Sequence, residues 1–173
     1  MPAKVEKPVD LHGIDLEYNS LRSEILKRIE LRQQIISITL TLAGIFLGFG
    51  LSTDTVALIY PPLAAFLAVA WAQNDFRIRD LAKYIRENLE TVPIGLRYET
   101  YVQHTRAGNK RLSAWRFVVI SHNGIFLLTQ VMAICIELFK TTPLVITPLE
   151  WVLLGIDGIA IIAVLIVASR SGR

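Results

Sequence analysis

The chain has 173 residues, of which 53% are hydrophobic and only 19% charged, with a formal net charge of +3 and a single cysteine. That composition excludes a disordered, collagenous or disulfide-rich secreted protein. The apolar residues fall in four blocks that nearly exclude charge, which leaves little room for a soluble catalytic domain.

Residues 1–14 read as a polar cytoplasmic tail. The first thirty residues are polar and charged, so no cleavable secretory signal is expected, and the first apolar block is expected to direct insertion. Residues 15–91 then read as one long helical hairpin. Residues 35–51 and 56–72 contain no Asp, Glu, Lys, Arg or His. Each is near the short limit of a spanning helix, roughly 17 to 25 residues. Only Ser52, Thr53, Asp54 and Thr55 separate them, and Gln33, Gln34, Gln73 and Asn74 can lengthen both at the inner end.

The helices are predicted to continue beyond these spans. Tyr18, Leu21, Ile25 and Ile29 recur at intervals of three, four and four, and so do Ile78, Leu81, Ile85 and Leu89. Charged residues occupy the other faces, the pattern of amphipathic helices. The two stripes lie at similar distances from the outer turn. Residues 15–34 and 73–91 are therefore expected to pair as an antiparallel stalk, stopped at Thr91-Val92-Pro93 because Pro cannot continue the hydrogen-bond ladder. Two helices have little core of their own, so contact with neighbouring subunits or a soluble partner is favoured over a stalk packed only on itself.

Within the first two spans, small residues form stripes. Ser37, Thr41, Gly44 and Gly48 share a face of the first span, with Gly44 and Gly48 forming a GxxxG pair, while Ala64, Ala68 and Ala72 recur every four residues in the second. Such stripes allow close helix approach, within one subunit or between subunits. Pro61-Pro62, near the outer start of the second span, reads either as a helix start or as a hinge.

Residues 92–116 mix Tyr, Trp and Arg with a weak periodicity and a turn at Ala107-Gly108-Asn109. A helix or loop on the inner membrane surface fits them. Residues 117–168 form a second hairpin of two spans, about 117–139 and 151–168, with a short cytoplasmic tail at 169–173. Thr147-Pro148-Leu149-Glu150 is a strong helix start: Thr caps, Pro sits first, and Glu reaches back three residues later.

Seventeen of the eighteen Lys and Arg residues lie on one side of these four spans, and only Lys140 lies on the other. Both termini and the long central segment are therefore expected on the cytoplasmic side of the inner membrane. Topology and anionic lipid account for the basic excess, and no nucleic-acid-binding motif accompanies it.

The second hairpin holds the most informative residues. Arg116, Asn123, Gln130 and Glu137 are seven apart, so they drift by only about 20° per heptad along one stripe. Asp157 lies mid-span between Gly155 and Gly158, and counting along the antiparallel helices puts Gln130 and Asp157 at similar depth. A mid-membrane Asp costs roughly 2.5 to 3.5 kcal/mol on insertion scales, so it should face protein or water. Three readings remain open. Asn123, Gln130, Glu137 and Asp157 act as intramembrane hydrogen-bond glue, or line a hydrated path for ions or protons, or belong to a catalytic or metal site. The last is weakest. His122 and Glu137 lie about 22 Å apart along one helix, and no HExxH, GxSxG or Walker spacing is present. No enzyme activity, metal or cofactor is expected.

The charged helix at Glu17 to Arg32, the two-span hairpin and the second basic helix at Asp75 to Glu90 resemble the SLATT-type membrane modules of bacterial conflict systems. The resemblance covers mainly residues 15–90. It implies an oligomer that perturbs the membrane when a soluble sensor signals. The expectation is thus an all-α, four-span protein with a cytoplasmic helical stalk, homo-oligomeric and pore-like. The alternatives are an anchor for a cytoplasmic protein partner and, less favoured, an enzyme acting on lipid.

Overall fold

The computed structural model describes residues 11–53, 55–90, 97–108, 114–140 and 147–171, and side chains at 12–53, 55–90, 97–105, 121–140 and 147–170. Every regular element among the described residues is helical, with no strand: α1 is Leu11–Gly50, α2 Tyr60–Tyr84, α3 Tyr98–Gly108, α4 Ala114–Lys140 and α5 Pro148–Ser171. A 3-10 turn, Val56–Ile59, leads into α2, and a π-helical turn, Ile85–Leu89, closes it. Four helical stretches are long and apolar enough to cross a membrane: His12–Gly50, Val56–Leu89, Ser121–Lys140 and Pro148–Arg170. Their outer faces carry large apolar side chains, among them Phe66, Leu128, Phe139 and Ile159. Apolar exposure on that scale marks a surface that meets lipid or another protein.

At 40 residues, α1 is about 60 Å long at 1.5 Å per residue. Its first half and the last turns of α2 pair through an apolar cluster of Ile25, Ile85 and Leu89, with Ile14, Tyr18, Leu21, Ile78 and Leu81 packed on it. Ile29, assigned by periodicity to the same stripe, is exposed. It stands about 40° round the helix from Ile25, on the side away from Leu21, and falls off the edge of the contact. Tyr84 Oη donates to Glu17 at 2.7 Å across the outside of the pair.

The connection between α1 and α2 is tight. Thr55 has φ 65°, and Gly50 meets the 3-10 turn so closely that a Cβ on it would lie 2.7 Å from Ala57 Cβ. Gly50 is the glycine that close approach requires. Gly44 and Gly48 instead face outward, with nothing within 4 Å of an added Cβ. The face of α1 turned to the bundle carries Arg32, Thr39 and Ala43, so the glycine pair does not pack against another helix among the described residues. Ala64 and Ala68 of α2 are buried, Ala64 beside Ala43 and Tyr60, Ala68 beside Trp71 and Phe126. Pro61 and Pro62 occupy the first turn of α2, where missing amide donors cost no intrahelical bond. They start the helix.

The start of α5 follows from local sequence. Glu150 accepts the Thr147 amide at 2.7 Å, and the Glu150 amide reaches back to Thr147 Oγ1 at 3.4 Å, the reciprocal bonding of a capping box. The start of α3 is bonded from a distance. Glu90 accepts the amides of Glu99 and Thr100 at 2.6 and 2.8 Å and the Thr100 hydroxyl at 2.6 Å. Arg22 of α1 pairs with Glu99 at 3.3 Å and lies over the Tyr98 ring at 5.1 Å. Residues 98–108 are therefore helix through Gly108, and α4 is already helical at Ala114, three residues before the expected span. The expected helix stop at Thr91-Val92-Pro93 lies outside the described residues, as do residues 1–10 of the expected N-terminal tail and the side chain of Arg116.

Candidate functional site

Two stripes deliver polar groups to the interior. On α2, Ala64, Ala68, Trp71 and Asp75 recur at four, three and four residues, so the helix face that buries small residues against the bundle also carries a carboxylate inward. On α4, Asn123, Gln130 and Glu137 are all buried. These three span 14 residues, about 21 Å of helix, against a hydrocarbon core of about 30 Å. Buried polar side chains thus recur along most of α4, a stripe we call the seam.

The seam begins at the charged ends of α1 and α2. Asp75 is fully buried, pairing with Arg32 at 2.6 Å and with Arg79 at 3.3 Å. The Arg32 guanidinium lies over the Trp71 ring at 5.3 Å, and His122 of α4 stacks on Trp71 with centroids 5.3 Å apart. One junction therefore ties together α1, α2 and α4. Of its members only His122 stood out in the sequence. Arg32 and Asp75 read there as ordinary charges at the inner end of two spans.

Halfway along, the Tyr60 hydroxyl donates to Thr129 Oγ1 at 2.8 Å, and Thr129 donates to the Ile125 carbonyl at 2.8 Å. Thr39 turns its own hydroxyl back to the Ile35 carbonyl at 2.7 Å. Gln130, next to Thr129 on α4, and Asp157, mid-helix in α5, are both fully buried. Neither the Gln130 amide nor either Asp157 oxygen has a hydrogen-bond partner among the described residues. A buried carboxyl is ordinarily hydrogen-bonded, so the lack of a donor among the described residues sets Asp157 apart.

At the outer end Glu137 takes a different role from Gln130. Its Oε1 accepts the Thr55 amide at 2.8 Å, which fixes the α1–α2 turn against α4. Sequence spacing grouped Glu137 with Asn123, Gln130 and Asp157. The structure keeps Glu137 in the same seam but ties it to a backbone donor 82 positions away.

Among the described residues no group of three or more His, Cys, Asp or Glu side chains is gathered as a metal site. Beyond the seam, the charged ends carry one further carboxylate with a defined environment. Burial alone would raise the Glu90 carboxyl. Hydrogen bonds from the Thr100 side chain and the Glu99 and Thr100 amides, with Arg86 nearby, outweigh that and hold it below its ordinary value.

The chain matches no family model, no curated protein and no solved structure.

Proposed function

We propose that this chain is an integral inner-membrane protein with both termini cytoplasmic, acting as a homo-oligomer. In this reading the seam between α2, α4 and α5 moves protons or small cations, under control of the paired ends of α1 and α2. One observation carries it: Gln130, on the buried polar stripe of α4, and Asp157, mid-helix in α5, are fully buried and lack hydrogen-bond partners among the described residues. Structural polar groups in a bundle are bonded, as Asp75 and Glu137 are. A carboxyl kept without a partner at that depth suits a group that exchanges a proton or holds a cation in transit.

The junction of Arg32, Asp75, Trp71 and His122 supplies the coupling. It joins the paired charged ends to the first buried turn of α4, so a shift of one end relative to the other would move His122 and Asn123. The SLATT-like hairpin architecture agrees with control from the cytoplasmic end and with assembly. The exposed GxxxG face of α1, unused within the chain, is the surface this reading gives to a second subunit.

Proteoliposomes containing the purified chain should dissipate an imposed pH or cation gradient, and Asp157→Leu should abolish that flux while the protein stays folded and oligomeric. Equal leak from wild type and Asp157→Leu would refute the pathway.

A second reading is favoured by one observation: α3 is fastened to the paired ends by Glu90 and Arg22, and it displays Tyr98 and Tyr101 outward. In that reading the chain anchors a cytoplasmic partner on α3, and Tyr101→Ala would release a co-purifying protein without affecting flux.

A further inference from the structure

Two openings in the surface of α2 lie on the same face of that helix. The first is a groove of about 250 Å³ between α2 and α5, lined by Pro62, Phe66, Val69, Ile156, Ile159 and Ala163 and almost wholly apolar. The second is a cavity of about 450 Å³ between α1 and α2, lined by Arg28, Gln73, Asn74, Phe76, Arg77 and Asp80. Pro62, Phe66, Val69, Gln73, Arg77 and Asp80 follow one another at intervals of three or four, so a single stripe of α2 runs from apolar to charged. Phe66 and Arg77 are eleven residues apart, about 16 Å along the axis. Half of a hydrocarbon core of about 30 Å is nearly the same length.

The charged end has an internal order as well. Arg28 and Arg77 lie nearest the apolar groove. Beyond them a neighbouring cavity of about 500 Å³ shares Arg28, Arg77 and Asp80 and adds Glu17 and Glu24 to its wall. Arg28 already donates to Glu24 at 2.6 Å and, more weakly, to Asn74 Oδ1 at 3.5 Å. Arg77 is exposed and makes no ion pair among the described residues. Moving away from the bilayer, the stripe thus offers apolar surface, then guanidinium groups, then carboxylates. The local positive and negative charges nearly balance, which argues against a purely anionic ligand.

We propose that a phospholipid with a primary-ammonium headgroup, of the phosphatidylethanolamine class, docks along this stripe. One acyl chain fills the groove between α2 and α5, the phosphate meets Arg77 and Arg28, and the ammonium donates to Asp80 and Glu24. Acyl chain, phosphate and ammonium follow one another in the lipid in the same order as apolar, basic and acidic groups follow on the protein. The two-carbon link between phosphate and ammonium suits the offset from Arg77 to Asp80, about 4.5 Å along the helix. The inference rests on reading the long apolar helices as membrane spans, and it is independent of whether the seam conducts.

The test uses the full chain, delipidated in detergent, with thermal unfolding followed as lipids of identical acyl chains are added. Phosphatidylethanolamine should raise the melting temperature at a concentration about fivefold lower than phosphatidylcholine or phosphatidylglycerol requires, the scale of a few exposed charge contacts. Arg77→Gln should weaken the response to all phospholipids. Asp80→Asn should erase the preference for phosphatidylethanolamine and leave the other two unchanged. Val69→Trp, which fills the groove, should blunt the response without touching a charge.

The proposal is overturned if phosphatidylglycerol matches or exceeds phosphatidylethanolamine, or if the preference survives Asp80→Asn. Free phosphoethanolamine acting as strongly as the lipid also overturns it, since the ligand would then be a soluble headgroup. A chain that stays monodisperse without detergent would instead defeat the membrane reading itself, and a lipid preference without ion flux would leave this proposal standing while the pathway fell.

Discussion

Asp75 and Asp157 are both fully buried between helices, and their surroundings are opposite. Asp75 sits where charged helix ends meet the apolar bundle and binds two guanidinium groups. Asp157 sits mid-helix in α5 and has no hydrogen-bond partner among the described residues. The contrast separates a carboxylate that holds helices together from one that the fold does not use. For a buried charge, partner geometry rather than burial decides between those roles.

The largest effect should come from breaking the satisfied site. Asp75→Ala strands Arg32 inside the bundle and should cost about 3–5 kcal/mol, the penalty for leaving one member of a buried pair uncompensated. Denaturation in detergent would measure it. Replacing both partners, Arg32→Met with Asp75→Leu, should recover most of the loss. If the single change is as mild as the double one, the junction is not a structural lock.

Asp157→Leu should behave in the reverse sense. It removes an unsatisfied polar group, so stability should hold or rise by about 1–3 kcal/mol. A large loss in the same denaturation assay would show that Asp157 has a structural partner and would erase the contrast with Asp75.

Glu90 provides a third, more exposed carboxylate for comparison. Glu90→Gln should loosen α3 by about 1 kcal/mol, the usual scale of an N-terminal cap. Because the folded protein holds this carboxyl below its ordinary value, its contribution is present above the unfolded value and is lost as pH falls through the lower folded one. The hydrogen-exchange protection of α3 amides, taken relative to their intrinsic exchange rate at each pH, should therefore fall on acidification below the ordinary carboxylate range in wild type. In Glu90→Gln that protection should already be low at neutral pH.

The smallest effect concerns α1. Gly44→Ala has open space around it within the chain, so it should stabilise the monomer by about 0.5–1 kcal/mol through helix propensity. If it instead weakens self-association on size-exclusion chromatography with light scattering, the outward glycine face is a subunit contact.

Much of this could be read without coordinates wherever the signal is local. The four long apolar helices follow from block composition. The apolar contact between α1 and α2 follows from the three-four spacing of Tyr18, Leu21 and Ile25 with Ile78, Leu81, Ile85 and Leu89. The start of α5 follows from Thr147-Pro148-Leu149-Glu150, because both hydrogen bonds of a capping box close within four residues. Spacing also placed Asn123, Gln130 and Glu137 on one stripe, which α4 buries as a unit.

What the linear pattern left open were facings and partners. Periodicity marks a stripe but not the direction it faces, so Gly44 and Gly48 looked as suited to packing as Ala64 and Ala68 until α2 took the opposite side of α1. The Arg32–Asp75 pair joins residues 43 positions apart, and each alone resembles a cytoplasmic charge at a span's end. Spacing left Glu137 open between a pathway and hydrogen-bond glue, and its bond to a turn contributed by the other hairpin was not legible in the sequence.

Residue order by itself determined how many long apolar helices there are, the faces along them and the local caps, because hydropathy, helical periodicity and capping act within a few turns of one segment. Tertiary structure alone decided which buried carboxylate is paired and which has no hydrogen-bond partner among the described residues. That depends on where independent helices place their side chains in three dimensions, and in a low-dielectric interior a displacement of a few ångströms separates an ion pair from an isolated charge.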